Sequence, residues 1–177
     1  MNPIALITGA AGGLGQSLAA KLTEAGWQLI VTSRDAQRLR DAYGNQHLQI
    51  AADCATPEGA RQIIEAANAQ GLVPQALAHC AGNIRLGALH RMGEQEFRET
   101  LDANLVSAFH TLAAFIGNLR QHNLPGSAVL VSSVAAQIGT PNHEAVAAAK
   151  AGVEGLARGA AATYAPYGIR VNVVAPG

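Results

Sequence analysis

Charge is scarce in this sequence and evenly divided. Of 177 residues only 14% are charged, twelve basic against twelve acidic, and the formal net charge is zero. Without an excess of either sign the chain has no electrostatic hold on a polyanion or an anionic membrane, so neither nucleic acid nor a lipid surface is expected as a partner. Cysteine is scarcer still. Cys54 and Cys80 stand 26 positions apart with no Cys-x-x-Cys pattern. Each ends an apolar, strand-like run, and two buried thiols are expected ahead of a disulfide or a metal site. Aromatic residues amount to 4%. No apolar run approaches a membrane span, and the start, Met1-Asn2-Pro3 before a short apolar segment, lacks the basic stretch and long apolar core of a secretory signal. A cytoplasmic location is expected.

Apolar residues are plentiful instead. They make up 49% of the chain, much of it alanine, which suits helices lying closely on both faces of a sheet. The length suits one domain able to bury a substantial core, and no internal repeat, low-complexity tract or linker divides it.

The rest of the chain is organised around Thr8-Gly9-Ala10-Ala11-Gly12-Gly13-Leu14-Gly15, which follows the apolar run Ile4–Ile7 and precedes apolar residues at helical spacing from Ser17 to Leu22. Strand, glycine turn and helix form a phosphate-binding arrangement. Backbone N–H groups at a helix N-terminus have no intrahelical partner, and the helix dipole adds partial positive charge there. Gly9 is expected to take positive φ at the tight turn, Gly13 to expose its peptide to a pyrophosphate, and Gly15 to let the helix pack closely on the sheet.

Five further strands are predicted: Trp27–Thr32, His47–Ala52, Gln75–Cys80, Ser127–Ser133 and Ile169–Val174. Helices are predicted between them: Ala36–Tyr43 with Asp35 as N-cap, a helix to about Gln70 capped by Thr56 and started by Pro57, Glu94–Leu101, about Asn104–Leu119, and roughly Asn142–Tyr164. Strands alternating with helices predict an α/β fold with a doubly wound parallel sheet in three layers, α/β/α; a (β/α)₈ barrel would need eight units. At the end of the second strand, where an acidic residue would bond the ribose 2′-hydroxyl of NAD, the chain has Ser33 and then Arg34. An arginine there accommodates a 2′-phosphate, so NADP is expected rather than NAD.

Thr8-Gly9-x-x-x-Gly13-x-Gly15, Asp53, Ala81-Gly82, Asn104, Ser133, Lys150 and Arg170-Val171-Asn172-x-x-x-Pro176-Gly177, in that order and spacing, resemble the short-chain dehydrogenase/reductase family over the whole chain. The resemblance implies a single Rossmann domain over 1–177 that binds a nicotinamide dinucleotide and moves a hydride between it and a small alcohol or carbonyl. By position, it implies that Thr8, Gly9, Gly13, Leu14 and Gly15 form the pyrophosphate turn and that Asp53 contacts the adenine ring. Ala81 and Gly82 match the second half of the family's Asn-Asn-Ala-Gly motif, whose first half is here His79-Cys80. Asn104 matches the asparagine that supports a water relay, Ser133 the serine that hydrogen-bonds the substrate oxygen, and Lys150 the lysine that holds the nicotinamide ribose. Pro176 and Gly177 match the segment beside the nicotinamide. A homo-oligomer, dimer or tetramer, joined through apolar helix faces is expected.

The family's catalytic tyrosine lies four residues before the lysine, one helical turn away on the same face. Here that position is Val146, which has no proton to give, and losing a general acid forfeits roughly 10²- to 10⁴-fold in rate. A working reductase would need another donor, with His143 and Glu144 as the local candidates. The alternatives are an NADP-binding protein without efficient redox chemistry, such as a sensor or subunit partner, and an altered version of an active enzyme. The family's usual substrate loop, further helix and seventh strand are also expected to be missing after Gly177, and a rim role for His90, Arg91 and Met92 is weighed against an ordinary surface loop.

Overall fold

Each apolar run between two helical segments becomes a parallel strand, because a chain that crosses back through a helix re-enters the sheet in the same direction. The computed structural model describes residues 2–177. Its strands are β1 (Ile4–Thr8), β2 (Gln28–Ser33), β3 (Leu48–Ala51), β4 (Ala76–His79), β5 (Gly126–Val131) and β6 (Ile169–Val174). They form one sheet in the order β3-β2-β1-β4-β5-β6, parallel throughout. The order reverses between β1 and β4. At such a switch point the connections leave to opposite sides and open a crevice beyond the strand C-termini.

The helices are α1 (Gly13–Glu24), α2 (Ala36–Tyr43), α3 (Pro57–Ala69), α4 (Glu94–Leu101), α5 (Ser107–Gln121) and α6 (Glu144–Tyr164). The two-residue period of a strand divides the core between two layers. Leu6, Ile30, Leu77 and Leu130 pack with Ile63 of α3, Phe115 and Leu119 of α5 and Val153 of α6. Ala5, Ile7, Leu29 and Val31 pack with Ala19 of α1 and Leu39 and Tyr43 of α2. The three-layer fold is therefore as expected, with one departure: Arg170, Asn172 and Val174 on the outer face of β6 are exposed, so helices do not close both faces along the whole sheet.

The predicted caps of α2 and α3 are present. Asp35 Oδ1 accepts from the amides of Gln37 and Arg38, and Thr56 Oγ1 accepts from Gly59 N. Several ends shift by one or two residues, and three of the differences have a local cause. Ser132 and Ser133 lie beyond β5, because the chain turns at Ser133 into a short 3₁₀ segment, Val134–Ala136. The helix placed from Asn142 starts at Glu144, since Asn142 has φ 62°, outside the right-handed region. The helices placed at Glu94–Leu101 and from Asn104 are not separate: a π-helical turn, Asp102–Val106, joins α4 to α5 and contains Asn104. No helix among the described residues is long and apolar enough to cross a membrane.

Candidate functional site

Two adjoining cavities open along the C-terminal edge of the sheet. The first, about 460 Å³, is lined by Gly9, Gly12, Ser33, Arg34 and Asp53 among others. The second, about 490 Å³, is lined by Asn104, Ser133, Val146, Lys150, Pro176 and Gly177 among others. Cys80, Ala81, Gly82 and Asn83 line both. The loop after β4 thus lines both halves of the cleft.

The glycine turn is shaped by close approach as much as by dihedral angle. Gly9 has φ +63°, and a Cβ there would stand 2.6 Å from Ala81 N and Cys80 O. A Cβ on Gly15 would stand 2.7 Å from Ala10 Cα and Gly9 O, so α1 folds tightly over its own turn. Gly13 differs, with nothing within 4 Å of a Cβ; the protein's own packing does not require glycine there, and the space over the helix start is open. Neighbouring elements hold the turn. Ala10 N donates to Thr32 O at 3.0 Å, the buried Tyr43 hydroxyl to Ala10 O at 2.7 Å, and Arg38 Nη2 and Gln16 Nε2 to Ala11 O. Gly13 and Leu14 are exposed at the start of α1.

Thr8 is placed differently. It is fully buried, and its Oγ1 lies 2.8 Å from His79 Nδ1. Ser107 Oγ gives its proton to Ala103 O, so His79 Nε2–H donates to Ser107 Oγ at 3.2 Å and Nδ1 accepts from Thr8. Burial, and secondarily the Lys150 charge, lower the imidazole pKa to about 3, which keeps it neutral. His79 therefore fills the first position of the motif after β4 as a bridge between β1 and α5.

In the second cavity Lys150 is almost wholly buried, and its Nζ donates to Val131 O at 2.9 Å. Burial pushes the ammonium below the usual lysine range, and Cys80 partly offsets this. Burial likewise pushes the Cys80 thiol up to about 11, with Lys150 pulling the other way. Cys54 is buried, whereas Cys80 is only half-buried; both thiols are free. Asn104 Nδ2 donates to Thr100 O, Asn83 O and Asn83 Oδ1 at 2.9–3.1 Å, and its Oδ1 accepts from Asn83 N. A Cβ on Gly82 would stand 2.7 Å from that oxygen and 3.4 Å from Lys150 Nζ, so glycine permits the loop, the π-helical turn and α6 to meet. Ser133 Oγ accepts from Ala135 N, which leaves its proton free. Pro176 O accepts from Val134 N and draws the final residues to the same rim.

The structure brings together Ser33, Arg34 and Asp53 at one end of the cleft and Asn104, Ser133, Lys150, Pro176 and Gly177 at the other, with Ala81 and Gly82 between. Val146 is buried in the second cavity wall, where Thr140 and His143 also stand. Glu144 is exposed and does not line the cleft, and neither do His90, Arg91 or Met92. Sequence reasoning missed Arg38, one helical turn after Arg34, and Asn83, the partner of Asn104. No cluster of His, Cys, Asp or Glu suited to a metal occurs among the described residues.

A family model described as short chain dehydrogenase matches residues 3–177. The chain belongs to the short-chain dehydrogenase family. It is 34% identical to the 3-oxoacyl-(acyl-carrier-protein) reductase FabG of Staphylococcus aureus over 185 aligned positions, covering 100% of this chain and 74% of that protein. The crystal structure of a short-chain type dehydrogenase/reductase from Mycobacterium marinum superposes with a TM-score of 0.94 at 28% identity, covering 99% of this chain and 72% of that one. A short-chain dehydrogenase from Streptomyces avermitilis superposes at 0.91 and 28% identity, covering 100% and 66%. The chain thus spans between two thirds and three quarters of the length of these relatives. Short-chain dehydrogenases are NAD(P)-dependent oxidoreductases acting on CH–OH groups, and the six-stranded parallel sheet with its helices superposes on their fold.

Proposed function

We propose that this chain is an NADP(H)-dependent oxidoreductase that interconverts a small carbonyl compound and its alcohol. The observation that carries this reading is that the cavity lined by Arg34 and the cavity lined by Lys150 lie side by side, both lined by Gly82 and its neighbours. Its glycines shape the space for a dinucleotide: a Cβ at Gly9 or Gly15 would strike backbone atoms of the turn or of the loop after β4 and one at Gly82 would strike Asn104 Oδ1, while Gly13 leaves the first amides of α1 open to an anion. Arg34, exposed beside Ser33, would pair with the 2′-phosphate, and a planar guanidinium suits that oxyanion. Asp53 would face the adenine, and Lys150 the nicotinamide ribose. When bound, the reduced dinucleotide supplies a hydride. Ser133 would hold the carbonyl oxygen through its free hydroxyl proton, Asn104 would keep the loop and a relayed water in place, and Pro176 and Gly177 would flank the nicotinamide.

The reading includes a cytoplasmic location and a homo-oligomeric state, dimer or tetramer, in which the exposed Phe109 of α5 would be covered by a second copy. NADPH fluorescence titration, followed by NADPH oxidation with a panel of ketones headed by 3-oxoacyl thioesters, tests it. Binding in the micromolar range with turnover of at least one ketone is expected. Failure to bind NADPH, or binding without turnover of any carbonyl by the wild-type protein or by Val146→Tyr, overturns it.

A further inference from the structure

We propose that His143 is the acid that protonates the substrate oxygen, in place of the side chain missing at Val146. The inference rests on the oxidoreductase reading above. Positions 143, 146 and 150 follow the i, i+3, i+7 spacing that aligns side chains along one helix face, and all three line the second cavity together with Ser133. His143 stands at the N-cap of α6, one turn before Val146 on the stripe that ends at Lys150.

The imidazole is held in a defined orientation. His143 Nδ1 lies 2.8 Å from the main-chain oxygen of Pro141, and a carbonyl only accepts, so Nδ1 carries hydrogen in either charge state. Nε2 makes no hydrogen bond among the described residues. The backbone beneath is fixed as well: Asn142 takes φ 62°, Gly87 N donates to Asn142 O at 3.0 Å, and Ala147 N donates to His143 O at 2.7 Å. Orientation by a carbonyl on one nitrogen, with the other nitrogen unpaired in a residue that lines the cavity, is what a positioned proton donor needs.

The other protic groups of the cavity serve less well. Glu144 points to solvent. Lys150 Nζ is engaged with Val131 O, the half-buried Cys80 thiol holds its proton up to about pH 11, and the alcohols of Ser133 and Thr140 are weaker acids than an imidazolium. In reduction, the hydride that NADPH would supply would pass to the carbonyl carbon, the C=O π pair would move to oxygen, and that oxygen would take the proton from His143 Nε2, leaving the alcohol, NADP⁺ and a neutral imidazole still bonded through Nδ1–H to Pro141 O. His143 is half-buried, so water can return the proton.

The test uses His143→Asn, whose side-chain amide can keep the bond to Pro141 O but has no proton to transfer, alongside Val146→Tyr and the double variant. NADPH affinity is expected to stay within threefold of wild type in all three. The rate of ketone reduction is expected to fall by about 10²- to 10⁴-fold in His143→Asn, to recover partly with added imidazole, and to recover in the double variant. A readout independent of turnover is the imidazole 15N spectrum of the protein carrying NADP⁺: an added ketone, which cannot be reduced there, should move the His143 Nε2 signal. Reduction by His143→Asn within threefold of wild type, an unmoved Nε2 signal, or an inert wild type beside an active Val146→Tyr overturns the assignment and leaves cofactor binding standing. Loss of NADPH binding in the wild type overturns the oxidoreductase reading, and the assignment with it.

Discussion

The Thr8 hydroxyl donates to His79 Nδ1 across 2.8 Å, and the two residues are register partners at the end of the β1–β4 ladder. The bond closes the sheet directly beneath the glycine turn. It also makes folding sensitive to acid. Folding lowers the His79 pKa from 6.5 to about 3, so between those values the unfolded chain binds more protons than the folded one, and stability rises with pH across that window. The contribution is complete above pH 6.5 and is lost as pH falls toward 3, at a slope of up to about 1.4 kcal/mol per pH unit. Denaturant unfolding at pH 7, 5 and 4 measures the slope. His79→Asn, which keeps polar groups toward Thr8 and Ser107 but cannot titrate, should flatten it, and an unchanged slope would show that other groups dominate.

Two glycines of one turn should respond oppositely to the same methyl group. Gly9→Ala sets a Cβ against backbone atoms of Cys80 and Ala81 in a residue already at positive φ, and no rotamer relieves such a clash. A loss of about 2–4 kcal/mol is expected. Gly13→Ala meets no atom within 4 Å at a helix start and should be neutral or stabilise by about 0.4–1 kcal/mol. If a pyrophosphate lies over that helix start, the same variant should weaken NADPH binding despite its sound fold. Thermal unfolding and NADPH titration on the two proteins separate the effects.

Arg34 and Arg38 line the same end of the cleft yet differ in their bonds. Arg38 is tied to Ala11 O. Arg34→Ala should reduce NADPH affinity by about 10- to 100-fold, the equivalent of roughly 1.5–3 kcal/mol for a charged hydrogen bond, while leaving NADH affinity unchanged. Arg38→Ala should weaken both cofactors alike by loosening the turn. Equal affinities of the wild-type protein for NADPH and NADH would remove the argument from Arg34.

Much of the scaffold is legible in the chain because a strand buried on both faces must be apolar at successive positions, as Leu29-Ile30-Val31 is, and because Asp35 and Thr56 announce helix starts through their own side chains. Site residues identified by spacing, such as Ser133 and Lys150, do line one cavity. What escaped depends on partners distant in sequence. Asn83 reads as an ordinary loop residue until its bonds to Asn104, 21 positions later, are seen, and the π-helical turn has the composition of any helix. Arg38 reads as a solvated helix residue because only the docking of α2 over the turn brings Ala11 O within reach. His79 reads as a departure from a motif until Ser107 and Thr8 are found on either side of its ring.

The π-helical turn at Asp102–Val106 has a further consequence. It joins two helices whose contacts differ, since α4 packs on α6 while α5 packs on α3 and the sheet. In an α-helix each residue adds about 100° of rotation, so deleting one residue here would restore regular spacing and swing everything before the turn by that angle relative to everything after it. Asn104 would turn from Asn83, or Phe115 would turn from the core. The number of residues between Thr100 and Ser107 is thus itself an element of the site, and a single deletion there could disarm the cleft with every one of its polar side chains still encoded.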